Sequence, residues 1–180
     1  MRKLTTICTL LFLVVFASSC KDEKSLQQYF IDVQEKEGFV NGDLPVSSLL
    51  TLKTDVSNDV KETIKSIKKI NVAYFVKTAD NEATYQKEKA TLKNVFSSKA
   101  YKNLMTMKMN GMNMKVYYTG NTDSLDEVIL FGYEDKSGVG VARLLGDNMN
   151  PTKIIEMLNS VKFDEDGASL EQFANIFKEK

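Results

Sequence analysis

Apolar residues recur at helical spacing in Leu26, Tyr29, Phe30 and Val33, directly after Ser25-Leu26-Gln27-Gln28. That tetrapeptide has the form of a capping box, so a helix is predicted from Ser25, with Gly38 as its stop. Phe39–Lys53 carries the turn signals Asn41-Gly42 and Pro45 and then Leu49, Leu50 and Leu52, and the pattern assigns it no element. Ser57 caps a predicted helix to about Lys68, with Val60, Ile64 and Ile67 on one face. Ile70–Thr78 is rich in β-branched and aromatic residues that alternate, and it reads as a strand. Asp80 to about Lys99 carries a narrow stripe of Tyr85, Leu92 and Phe96, the pattern of a surface helix.

Asn110-Gly111 is the preferred pair for a two-residue hairpin turn, because both central residues need positive φ. The turn sets Met109 opposite Met112, Met107 opposite Met114, and Met105 opposite Val116. One side of the hairpin is then almost entirely thioether, while Leu104, Thr106, Lys108, Asn113, Lys115 and Tyr117 share the other, mostly polar side. The methionine side is expected to lie beneath helices as part of the main core. Two more strands are predicted at Val128–Glu134 and Val139–Leu145. Asn150-Pro151 opens a helix with Ile154, Leu158 and Val161, and Ser169-Leu170-Glu171-Gln172 opens a last one with Phe173 and Phe177. The expected fold is α+β, an antiparallel sheet of about four to five strands with helices packed mainly on one face.

The amino-terminal pattern is of another kind. Arg2 and Lys3 precede apolar Ile7–Phe16, and Ala17-Ser18-Ser19-Cys20 follows at once, the order of a secretory signal. Even counted from Leu4 the apolar stretch is about 13 residues, short of the roughly 18 that a span requires. Its end resembles a bacterial lipobox, with Ala17 where Leu is usual. The organisation expected is a signal over 1–19, a lipidated tether over 20–24 and one α+β domain over 25–180. The acyl chains on Cys20 would hold the protein to a membrane, since two chains make an anchor stable where one does not. Plain secretion, with cleavage after Ser19 and no lipid, is the alternative.

Lys21-Asp22-Glu23-Lys24 resembles the Lys-acidic-acidic tag of surface-displayed lipoproteins of Bacteroidota, and it also suits a solvated tether. Outer membrane is the expected location, with the leaflet open. If the helix starts at Ser25, the tether reaches about 17 Å when fully extended, so the domain sits close to the membrane.

Composition narrows the chemistry. The 180 residues carry 24 basic and 24 acidic side chains, and loss of Arg2 and Lys3 with the signal would leave a balance of −2, so nothing favours nucleic acid. There is no His and no Trp, and Cys8 and Cys20 are the only cysteines, so no disulfide framework and no imidazole or thiol chemistry is available to the domain. A non-catalytic binding or structural domain with an envelope protein partner is therefore expected, without a cofactor.

Three weaker constellations remain. Met105, Met107, Met109, Met112 and Met114 could carry a soft metal ion or an apolar ligand, because thioethers select Cu(I); the same alternation is what a sheet needs to bury one face. An enzyme would have to rely on Asp, Glu, Lys or Tyr; Ser66-Ile67-Lys68-Lys69 matches the Ser-x-x-Lys of penicillin-binding enzymes and Lys77-Thr78-Ala79 and Tyr101-Lys102-Asn103 faintly echo its companion motifs, but the order is wrong, the third glycine is missing and the chain is too short for that fold. Asp164-Glu165-Asp166-Gly167 lacks the flanking carboxylates of a calcium loop and reads as an acidic turn, and Asp123-Ser124-Leu125 resembles a short O-glycan acceptor at Ser124.

Taken together, the signal with Cys20, the amphipathic first helix, the hairpins, and Val141-Ala142-Arg143-Leu144-Leu145-Gly146-Asp147 leading into a Pro-started helix resemble a small-lipoprotein family of Bacteroidota defined by a domain of unknown function, number 4252. The resemblance spans most of the chain after the signal. It implies no reaction and no catalytic residues.

Overall fold

Two serines set the first helical starts. The Ser25 hydroxyl accepts from the Gln28 amide at 3.1 Å and opens α1, Leu26–Val33, while Ser57 accepts from the Val60 amide at 3.3 Å and opens α2, Asn58–Ser66. The computed structural model describes residues 25–44, 46, 57–109 and 111–160. The signal, Cys20, the tether, the acidic turn at 164–167 and the helix expected after Ser169 lie outside them, as do Pro45 and 47–53 of the unassigned segment.

The strands are β1 Phe39–Leu44, β2 Ile67–Val76, β3 Lys102–Met109, β4 Met112–Gly120, β5 Leu125–Glu134 and β6 Gly138–Met149. Helix α3, Glu82–Val95, connects β2 to β3, and α4, Pro151–Ser160, follows β6. The sheet order is β1-β2-β6-β5-β4-β3, antiparallel throughout. The hairpin register is as expected, with Met107 opposite Met114 and Met105 opposite Val116.

Two expectations are corrected. The sheet has six strands, because Phe39–Leu44 pairs with β2 as an edge strand. Asn41-Gly42 makes no turn there: the Asn41 amide donates to the carbonyls of Val33 and Gln34, closing the end of α1, and an edge strand has a free side for such use. The helices, moreover, cover both faces. On one face α1 and α3 bury Tyr29, Tyr85 and Leu92 against Phe75, Phe131 and Val141. On the other, α2 and α4 bury Ile64, Ile154 and Met157 against Ile70, Val128 and Leu144. Strands covered on both sides need apolar residues on both sides, which is why β5 runs Val128-Ile129-Leu130-Phe131 without a polar interruption.

Gly140 is what lets β2 and β6 meet closely. A Cβ there would lie 2.6 Å from Tyr74 Cδ2 and 2.9 Å from the Ala73 carbonyl oxygen. Gly140→Ala is expected to cost about 1–3 kcal/mol in a denaturation midpoint, as overpacking against backbone does. A midpoint equal to the parent's would mean that the two strands sit further apart.

Candidate functional site

All four register shifts fall at one end of the sheet: between Ile67 and Lys69, Asn103 and Met105, Thr119 and Gly120, and Leu125 and Glu127. Irregular strand ends re-aim side chains. At this end a polar row crosses three strands, with Asp43 opposite Asn71 and Asn71 opposite Arg143. It lies on the face covered by α1, and Arg143 is 8% exposed.

The Arg143 guanidinium donates from Nε and Nη2 to Asn71 Oδ1 at 3.1 and 2.8 Å, and from Nη2 to Gln27 Oε1 of α1 at 2.8 Å. The Asn71 amide donates in turn to Asp43, which also holds Lys69 at 2.9 Å. The Phe30 ring lies 5.2 Å from the guanidinium carbon. Nη1 points towards Glu127 Oε1 at 3.9 Å, an ion pair too long for a hydrogen bond. Burial pushes the Glu127 carboxyl above its ordinary value, and Arg143 opposes that shift. For Asp43 the hydrogen bond from Lys69 is the main influence and holds the carboxyl low.

A second cluster ties α3 to the β5–β6 turn. The Tyr85 hydroxyl donates to Asp135 at 2.8 Å, Lys89 pairs with the same oxygen at 2.9 Å, and Lys89 and Lys93 stand over the Tyr133 ring at 4.9 and 4.8 Å. Glu88, 4% exposed, is paired with Lys36 at 3.4 Å, and burial followed by the Glu88 charge pushes the Tyr29 hydroxyl far up. Among the described residues no three His, Cys, Asp or Glu side chains are placed to hold a metal ion.

The methionine side faces the core under α2 and α4, though less completely than expected. Met114 is buried and Met105 packs against that core, whereas Met107 and Met112 remain half-buried. Met112 instead lies over Gly132, where a Cβ would come within 2.9 Å of its sulfur. Two residues expected on the wet side are also covered, Tyr117 stacking on Phe96 and Leu104 turning to the second core past the register shift. Ser124 is half-buried just before β5, and its hydroxyl donates to Asn148 at 2.9 Å. Ser66 donates to the Thr63 carbonyl while Lys69 is held by Asp43, so Ser66-x-x-Lys69 forms no nucleophile–base pair.

The family model described as Domain of unknown function (DUF4252) matches residues 29–157. The chain belongs to that family. In this DUF4252 protein the matched span takes in all six strands and most of both cores. No curated protein and no solved structure matches the chain. Arg143 and Glu88 are the features that sequence reasoning passed over. The one signal for Arg143 was alternation, which places it with Val139 and Val141 on a face that must be covered.

Proposed function

We propose that this DUF4252 protein is an exported lipoprotein, anchored through acyl chains on Cys20, whose α+β domain is a non-catalytic binding or structural module of the cell envelope. The observation that carries the reading is the cysteine behind Ala17-Ser18-Ser19, which ends a short apolar stretch and is the only one outside it. Outer membrane is the location that Lys21, rather than an acid, after Cys20 favours. Among the described residues no helix is long and apolar enough to cross a membrane, so the described part offers no helical span in place of a lipid.

The charged and polar groups support a binding or structural role through what they already hold. Arg143 and Asn71 lock α1 to the sheet, and Tyr85, Asp135 and Lys89 lock α3 to a turn. The partner is a protein of the envelope, which co-purification from detergent extracts would identify. An enzyme of this fold would rely on Asp, Glu, Lys or Tyr, and Glu127, whose burial raises its carboxyl beside the Arg143 guanidinium, is one candidate among the described residues. O-glycosylation at Ser124 would first have to free its hydroxyl from Asn148.

Intact mass of the membrane-extracted protein tests the anchor. The expected species begins at Cys20 and carries two or three acyl chains, and Cys20→Ser should move the protein to the soluble fraction. A soluble mature form with an unmodified cysteine would refute the reading.

A further inference from the structure

Between Glu88 and Asp123 the chain holds six lysines, at 89, 93, 99, 102, 108 and 115, and no Asp or Glu. The fold gathers several of them. On the face that carries α1 and α3, the β3–β4 hairpin presents Thr106 opposite Lys115 and Lys108 opposite Asn113, and Asn113 in turn faces Tyr133 on β5. Lys93 of α3 stands over the same Tyr133 ring at 4.8 Å. Lys93, Lys108 and Asn113 are exposed and Lys115 is half-buried, so the wet face of the hairpin and the adjoining end of α3 form a lysine-bearing surface beside Tyr133. Of the two carboxylates at this end, Asp135 is held by Lys89 and Tyr85, and Glu134, which accepts from the Ser137 hydroxyl, reaches the hairpin turn beside Gly111.

The start of α1 lies on this same face. The Leu26 amide donates to the Tyr101 hydroxyl at 3.2 Å, and Tyr101 packs beside Phe96 just before β3. Ser25, the first described residue, therefore stands on the face that carries the lysines, near the start of β3 and at the opposite end of that strand from Lys108.

We propose that the wet face of the β3–β4 hairpin, with Lys93, Lys108 and Lys115, rests on a membrane surface bearing anionic headgroups. The placement rests on the lipoprotein reading for the destination of the tether, and on charge complementarity for the face. A basic surface held by a short tether gains contact without the cost of free diffusion, and each lysine near an anionic bilayer strengthens binding about five-fold. The partner is the lipid surface itself, with a soluble acidic protein as the rival occupant.

The test uses unacylated chain, residues 20–180 with Cys20→Ser, which retains every residue of both described cores. Sedimentation with vesicles of phosphatidylcholine alone, or doped with phosphatidylglycerol, is measured at low ionic strength. Binding is expected only to the doped vesicles and is lost as salt rises. Lys93→Gln, Lys108→Gln and Lys115→Gln combined should weaken it about a hundredfold. Lys61→Gln, Lys65→Gln and Lys153→Gln, an equal charge change on α2 and α4 of the other face, should leave it nearly unchanged. No binding to doped vesicles, equal binding to both kinds, or equal weakening by the two triple variants would overturn the proposal, and a circular-dichroism melt of each variant keeps misfolding apart from lost contact. Because the assay needs no lipid on Cys20, its failure and a failure of the acylation test are separate results.

Discussion

Arg143→Ala is expected to destabilise the domain by about 3–5 kcal/mol, the range for removing one partner of a buried charged network. The guanidinium makes three hydrogen bonds to two side chains on different elements, and its loss strands Asn71 Oδ1 in a covered site. Glu127 would lose the neighbour that offsets its burial, so its carboxyl would rise further. A folded-state pKa above the unfolded one means that the ionised group works against folding, so the variant should recover some stability as pH falls through the Glu127 titration. Arg143→Lys keeps the charge but not the forked contact to Asn71, and it should fall between parent and alanine variant. Arg143→Met with Asn71→Leu removes both partners at similar volume and should be better tolerated than Arg143→Ala alone. Denaturant midpoints of the four chains order these outcomes. An alanine variant with the parent's midpoint would mean that the guanidinium is solvated and that α1 is held by Leu26, Tyr29 and Val33 alone.

The parts of this fold that were legible in the sequence are those whose cause is local. Asn110-Gly111 set the β3–β4 register because a two-residue turn leaves no freedom in the pairing, and Ser25, Ser57 and Asn150 marked helix starts because each cap reaches an amide three residues on. The parts that were not legible have distant causes. Asn41 looked like a turn residue until α1 placed two carbonyls beside it, and β1 became a strand only because β2 had an edge to offer. Arg143 sits in an apolar strand with its partners 72 and 116 residues away in sequence, so nothing near it announces that the charge is covered. Glu88 belongs to a helix whose composition reads as surface, and it is Tyr29 of α1 and Lys36 just after that helix that meet it. The hairpin's wet side was predicted from alternation alone, which holds at its tip and fails at Tyr117, where Phe96 arrives at the end of α3.

Met114→Ala is expected to cost about 2–5 kcal/mol, and Met114→Leu under about 1.5, because leucine conserves volume and alanine leaves a cavity. Met114 carries the prediction because it is buried at 9% exposure while its cross-strand partner Met107 is half-buried. Met107→Ala should therefore cost less than Met114→Ala, since its side chain has less contact with the second core to lose. The gradient along the hairpin follows from where that core lies: Met105 and Val116 meet it, whereas Met112 covers Gly132, a residue with no side chain of its own. If the hairpin were a soft-ion carrier, the order would reverse. Met107 and Met112 would be the accessible sulfurs, their leucine variants would melt with the parent, and Cu(I) uptake would fall in those variants and not in Met114→Leu. Thermal melts of the five variants, each with and without Cu(I), separate the two cases. Stability lost on truncation of Met114 and unmoved by the metal marks a packed sheet face, whereas a Cu(I)-dependent rise in the parent that vanishes in Met107→Leu would make the hairpin a binding site.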